Sequence, residues 1–269
     1  MSLSPLARWL LRGAMVLGLL LIYVPLAIVL VNSFNADRTF SWPPPGFTTR
    51  WWSSAWDNGG ARDALWTSVK AGLGATAIAL VLGTMVAFAV QRYRFFGRES
   101  LSLLVLLPIA LPGIVTGIAL DTAFRSVVEP LGIGKGLFSV IVGHATFCIV
   151  VVYNNVLARL RRLGGNLEEA SADLGADTFQ TFRLVTFPLL RSALFAGGLL
   201  AFALSFDEIV VTTFTAGPGI QTLPIWIFSN LFRPNQAPVI NVVASVLIVL
   251  SVVPVWLAQR LGGSGGGRL

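Results

Sequence analysis

Residues 168–190 read EEASADLGADTFQTFRLVTFPLL and hold four of the chain's twelve acidic residues, Glu168, Glu169, Asp173 and Asp177, beside a lone Gly175 and an abrupt Pro188. The stretch is patterned. After the helix-breaking Gly164-Gly165, Asn166 is placed as an N-cap with Glu169 at the third helical position, a capping-box spacing. Leu167, Ala170 and Leu174 then share one helical face, while Glu168, Glu169 and Asp173 lie off it, near the positive helix N-terminus or facing water. Gly175 is the expected C-terminal stop, where a left-handed residue is needed. Beyond Ala176, Asp177 and Gln180 repeat the capping pattern and open a second short helix with Phe179, Phe182 and Val185 on its apolar side. Pro188 suits the first turn of a following helix, where a missing N–H costs little. The segment therefore predicts two short capped helices joined by a sharp bend. A disordered tether needs neither caps nor apolar faces, so a docking surface is expected here.

Around this segment the chain is oily. Of its 269 residues 55% are hydrophobic and only 12% charged, and its mean hydropathy is +0.79. A soluble domain carries about 25% charged residues, so composition points to a bilayer as solvent. Uncharged runs cover 14–34, 71–90, 101–120, 136–158, 192–206 and 237–259. The fifth is short only because Asp207 and Glu208 interrupt it. At about 1.5 Å per residue such runs cross a hydrocarbon core of about 30 Å, which predicts an all-α membrane protein of six transmembrane helices. The first run is too long for a signal peptide and no small-residue cleavage site follows, so it is expected to stay as an anchor.

With the N-terminus inside, twelve of the nineteen Lys and Arg residues fall on the cytoplasmic side, and the positive-inside rule places both termini there. Residues 159–191 then form the longest inner loop. The first outer loop, with Pro43, Pro44, Pro45 and several tryptophans, is expected to anchor at the headgroup level. Residues 1–261 read as one transmembrane domain, and 262–269 (GGSGGGRL) as a flexible tail. One cysteine, Cys148, excludes an internal disulfide framework and a multi-cysteine metal site. The net charge of +7 is scattered in short clusters, so no continuous basic face for nucleic acid is expected.

Glu169-Ala170-Ser171, three residues, Gly175, nine residues and Val185-Thr186-Phe187-Pro188 resemble the cytoplasmic "EAA" loop of permease subunits of type I ATP-binding-cassette importers. Ser171, Val185 and Phe187 depart mildly from that pattern. The flanking GHATFCIVVVYNNVLARL (143–160) and ALSFDEIVVTTFTAGPGIQTLPIWIFSNL (203–231) are similar to spermidine/putrescine permeases, specifically the second of their two partner permeases. The resemblance implies a MetI-like six-helix bundle in a bacterial cytoplasmic (inner) membrane. It also implies that Glu168, Glu169, Ala170, Ser171, Asp173, Leu174, Gly175, Ala176, Asp177 and Pro188 belong to a coupling loop seated on a homodimeric ATPase subunit. The implied partners further include a second homologous permease, an extracytoplasmic solute-binding protein and membrane lipid. Related permeases carry ferric iron, sulfate or phosphonates.

The chain has no phosphate-cradling loop of its own. Around Lys135, Glu129 stands where the first glycine of such a loop belongs and Gly136 where Ser or Thr belongs. ATP and Mg2+ are thus expected on partner subunits, with no cofactor in this chain and no catalytic residues. A membrane enzyme wants a nucleophile–base pair or a metal cluster, and with one His and one Cys only a carboxylate mechanism remains for that reading. An ion-coupled secondary transporter commonly shows inverted repeats, and no obvious repeat is present.

Charges inside a span cost about 2.5–3.5 kcal/mol on insertion scales, so they usually face a cavity or a partner. Asp207 and Glu208 fall near the outer end of the fifth span, and Asp121 at the outer end of the third. Two readings stand: they line the entry of a cationic substrate, or they are solvated or salt-bridged at the interface, with Arg125 or Arg233 as partner. His144 has no carboxylate or cysteine at ligand spacing and is expected to hydrogen-bond between helices. Asn154 and Asn155 read as packing polar groups. Gly113 with Gly117, and Gly197-Gly198, are expected to allow close helix approach, and Pro108, Pro112 and Pro254 to bend their helices.

Overall fold

The computed structural model describes residues 4–38, 41–233 and 235–262, with side chains through residue 250; the tail beyond Gly262 lies outside the described residues. Every regular element described is helical, apart from one antiparallel bridge between Asn35 and Phe47. Four unbroken helical stretches are long and apolar enough to cross a membrane: α1 (Pro5–Asn32), α3 (Gly59–Arg92), α6 (Leu137–Leu163), and Thr178–Phe206, which contains α8 (Thr178–Thr181) and α9 (Phe187–Phe206). After the short α11 (Leu223–Asn230), the last helix, α12 (Ala237–Gly262), has 26 residues, about 39 Å at the standard rise.

The third expected span departs from a single rod. α4 (Arg98–Ala110) and α5 (Gly113–Ala123) are bent by 106° at Leu111-Pro112. The physical cause is local: a proline disfavours α backbone in the residue before it, and Leu111 is extended at φ −83°, ψ 145°. Pro25 and Pro108, by contrast, sit inside continuous helices.

The chain divides into two compact units, Met1–Arg62 with Ile227–Trp256, and Asp63–Trp226 with Leu257–Leu269. In the first, α1 buries none of its residues, as suits a helix whose apolar surface meets lipid or another chain. The loop after it is organised by Trp51 of α2 (Arg50–Asp57). Its indole Nε1 donates to Asn35 O at 2.8 Å, and the guanidinium of Arg50 lies 4.2 Å from its ring centroid. Trp51 is buried, so it is a core residue of this loop, whereas Trp42 and Trp56 are exposed and free to meet headgroups.

The second unit holds the main core. Ala71, Ala75, Ala79, Gly83 and Ala87 recur every four residues along α3, and the four alanines are fully buried. This spacing places one small-residue stripe on one face, and small residues let backbones approach closely. A Cβ at Gly83 would lie 2.9 Å from the Ile149 carbonyl oxygen of α6. α6 in turn packs on α9, with Gly197 against Val152 and Asn155 and the Cys148 thiol donating to Ala201 O at 3.2 Å. The close approach expected of Gly197 and Gly198 is present, Gly198 lying against Leu80.

Candidate functional site

The polar segment forms a compact structure at the base of α9. α7 (Asn166–Asp173) starts one residue earlier than expected: Gly165 takes the N-cap position, and Asn166 is the first helical residue with no side-chain cap. The other end matches the expectation in detail. Gly175 is left-handed at φ 84°, its N–H donates to Ala172 O at 2.9 Å, and the Ala176 N–H donates to Ser171 O at 3.1 Å. This pair of bonds is the Schellman arrangement, which satisfies the last carbonyls of a helix. The capping box also forms, with Gln180 N donating to Asp177 Oδ1 at 2.8 Å and Asp177 N to Gln180 Oε1 at 3.0 Å.

Two expectations need correction. The second short helix does not stop before the next span: α8 runs through a wide π turn (Phe182–Thr186) straight into α9. Pro188 cannot donate a backbone hydrogen bond and its ring crowds the carbonyl four residues back, and the wider turn lies directly ahead of it. Glu168 stands in the first turn of α7, as expected, but it is turned inward and does not face water. Its carboxylate meets Arg92, the last residue of α3, with Nε–Oε2 2.9 Å and Nη2–Oε1 3.0 Å. It also accepts from Thr186 Oγ1 at 2.9 Å. The Arg92 and Glu168 side chains are only 18% and 26% exposed. One carboxylate thus ties α7 to the end of α3 and to the π turn that leads into α9. Outward, Leu167, Leu174 and Phe179 are 51%, 89% and 70% exposed, and Glu169, Asp173 and Asp177 are exposed beside them. Three large apolar side chains surrounded by carboxylates form a surface that a partner can cover.

The acidic pair lies at a second irregularity. α9 ends at Phe206, and α10 (Val210–Thr215) resumes after three non-helical residues, Asp207, Glu208 and Ile209. Asp207 is exposed and Glu208 half-buried, and neither joins an ion pair among the described residues. Glu208 Oε1 accepts from Val211 N at 2.9 Å, capping α10. α10 is wedged between α5 and α6, with Gly117 under the Phe214 ring and Gly143 under Thr215 and Val211. Ser139 Oγ donates to Thr215 O at 2.6 Å.

His144, on α6, is fully buried and reaches both sides of the break: Nδ1 is 2.7 Å from Ser205 Oγ and Nε2 is 2.7 Å from Thr212 Oγ1. The interhelical bonding expected of it is present. Asp121 is not free. Arg125 Nε lies 2.9 Å from its carboxylate and Lys135 Nζ 2.5 Å, so the salt-bridged reading describes it, with Lys135 in place of Arg233. Asn155 bonds within its own helix to Val151 O. The Glu168 clasp and the identity of His144's partners were invisible from pattern alone, since each joins residues far apart in the chain.

The sequence profile described as "Binding-protein-dependent transport system inner membrane component" matches residues 79–263. The chain is 35% identical to the spermidine/putrescine transport system permease protein PotC of Escherichia coli strain K12, over 89% of each chain. It is 32% identical to the putrescine transport system permease protein PotI of the same organism, over 87% of this chain and 84% of the relative. Its fold matches a chain from the crystal structure of a bacterial ABC transporter involved in the import of the acidic polysaccharide alginate. That match has a TM-score of 0.70 at 16% identity and covers 99% of this chain and 100% of the other.

Proposed function

The chain belongs to the family of binding-protein-dependent transport system inner membrane components, and we propose that it is the permease subunit of an ATP-driven polyamine importer, forming half of the translocation path. Polyamines are proposed because relatives that align over most of the chain are spermidine/putrescine and putrescine permeases. The observation that carries the mechanism is the docking surface itself, an apolar crest rimmed by acids and tied from behind to two spanning helices.

A homodimeric ATPase subunit carrying ATP and Mg2+ seats on Leu167, Leu174 and Phe179 and on the carboxylates of Glu169, Asp173 and Asp177. When the ATPases close, the crest moves with them. The push enters α9 directly, because Thr178–Phe206 is one helical stretch of 29 residues, and it enters α3 through Glu168 and Arg92. The left-handed Gly175 keeps α7 and α8 at a fixed angle, so the motion is passed on as a rigid displacement.

At the other end of α9, Asp207 and Glu208 offer carboxylates that join no ion pair among the described residues, on irregular backbone. In a membrane such backbone is tolerated only where protein buries it or a water-filled cavity receives it. A polycation is attracted to these acids by long-range electrostatics, and Asp121, already held by Arg125 and Lys135, takes a structural part. A sister permease completes the path, an external binding protein delivers the substrate, and both termini of the chain face the cytoplasm.

The test is reconstitution of the chain with its sister permease, ATPase and binding protein in vesicles loaded with ATP. ATP-dependent accumulation of labelled spermidine or putrescine is expected. Accumulation of sulfate, ferric iron or a phosphonate instead would overturn the substrate assignment, and uptake that ignores ATP but follows an ion gradient would overturn the mechanism.

A further inference from the structure

The one histidine of the chain takes no part in the transport steps above, yet both of its ring nitrogens are hydrogen-bonded beside the acidic pair. Thr212 Oγ1 donates its single proton to Glu208 O at 2.8 Å, so toward His144 it can only accept. Nε2 of His144 therefore carries a proton and donates. In a neutral ring Nδ1 is then the acceptor, and it receives the Ser205 hydroxyl proton. Bond by bond, His144 Nε2–H leads to Thr212 Oγ1, and Thr212 Oγ1–H leads to the backbone carbonyl of Glu208. Val211, next to Thr212, holds the Glu208 carboxylate. Ser205 stands on the last turn of α9, two residues before Asp207. All three side chains of this relay are 2% exposed or less.

Resting on the proposed role of the acids, we propose that His144 is a positioning residue of the substrate path: its neutral Nε2–H imidazole fastens both ends of the broken span and so fixes where Asp207 and Glu208 present their charges. At the ends of the break Asp207 N–H still donates to Ala203 O at 3.2 Å and Ile209 O still accepts from Thr213 N–H at 2.9 Å, but neither bond crosses from one helix to the other, so the torsions between them are left to side-chain contacts. The imidazole supplies a rigid strut of fixed length between the two helix ends, anchored on α6. Thr212 carries the larger part of the effect because it bonds Glu208 itself, while Ser205 orients the ring and sets the tautomer.

The assay is spermidine uptake by the reconstituted complex, read as KM and kcat and normalised to assembled complex. His144→Ala and Thr212→Val should each raise KM on the order of tenfold, the effect of leaving one buried polar partner unsatisfied, with a much smaller change in kcat. The double variant should be no worse than the worse single. His144→Gln, whose amide nitrogen can donate to Thr212, should recover most of the affinity. Nitrogen NMR signals that His144→Gln removes should report a protonated Nε2 and an unprotonated Nδ1.

Wild-type KM in both Thr212→Val and His144→Ala would overturn the proposal, as would strictly additive effects or the opposite tautomer. Should His144→Ala fail to assemble, Thr212→Val and the NMR result decide the matter by the same criteria. Asp207→Asn with Glu208→Gln, run in parallel, separates the two claims. If the acid variant raises KM and the relay variants do not, only the positioning role falls. An acid variant with unchanged KM removes the role of the acids, and the positioning role with it.

Discussion

Removing the charge of Glu168 by Glu168→Gln should uncouple the docking loop from α3 while leaving the loop's own caps intact. The carboxylate makes two close contacts with Arg92 and accepts from Thr186. For charge centres about 4 Å apart, the gross attraction is about 4 kcal/mol at an effective dielectric of 20. Much of that is returned as desolvation. Exposed pairs contribute about 0–1 kcal/mol, and breaking a buried pair costs about 3–5 kcal/mol. With side chains 18% and 26% exposed, this pair belongs between those limits, at about 1–3 kcal/mol. The glutamine keeps an oxygen for the Thr186 hydroxyl, so the loss is confined to the Arg92 arm. The assay is a double-mutant cycle on Glu168→Gln and Arg92→Met in the reconstituted importer, scored as substrate transported per ATP hydrolysed and as transport kcat/KM. Each single variant should lower kcat/KM by about 5- to 30-fold, equivalent to about 1–2 kcal/mol, and the double variant should be no worse than either. Effects that add within about 0.5 kcal/mol, or an unchanged transport-to-ATP ratio in both singles, would refute the clasp.

Gly175→Leu should leave the subunits assembled but depress substrate-stimulated ATP hydrolysis. A Cβ there meets nothing within 4 Å, so the cost is backbone strain at φ 84°, about 1–2 kcal/mol, and Gly175→Asn should be milder; wild-type stimulation in both would remove the rigid-bend account. Asp207→Asn with Glu208→Gln should weaken polycation uptake without loss of the assembled complex, checked by uptake kinetics against pull-down of the ATPase. Gly117→Val should lower thermal stability by about 1–3 kcal/mol through overpacking, since a Cβ at 117 would stand 2.5 Å from the Phe214 ring; an unchanged unfolding midpoint would show that α10 is free to shift away from α5.

The membrane class, the long helices and two ends within the polar loop, the Gly175 stop and the Asp177–Gln180 box, were legible in the chain because they rest on short-range physics, whereas the N-cap expected at Asn166 falls to Gly165. Runs of apolar residues must leave water wherever they occur. Asp177 and Gln180 cap a helix from three residues apart, and Gly175 is the residue that adopts a left-handed backbone at the least cost. The small-residue stripe at 71, 75, 79, 83 and 87 belongs to the same kind of signal, a period of four on one helix, and would have marked the face of α3 that meets α6. The resemblance to the permease family likewise rests on a local motif, Glu169-Ala170-Ser171 with Gly175 and Pro188, and on the segments that flank it.

Tertiary structure alone decided what those parts do together. Pro25, Pro108 and Pro112 carry the same covalent restriction, yet only the helix at Pro112 breaks, where Gly113 and Gly117 lie against Val210 and Phe214 of α10. Glu168 finds Arg92 across 76 residues, and His144 finds Ser205 and Thr212 across 61 and 68. A composition pattern records that a side chain is polar and that burial will force it to find a partner. Which partner it finds depends on how helices distant in the chain come to pack. Hence the sequence by itself determined the solvent, the helices and the bend of the polar loop, whereas packing between helices determined which carboxylates are held in ion pairs, as Glu168 and Asp121 are, and which are not.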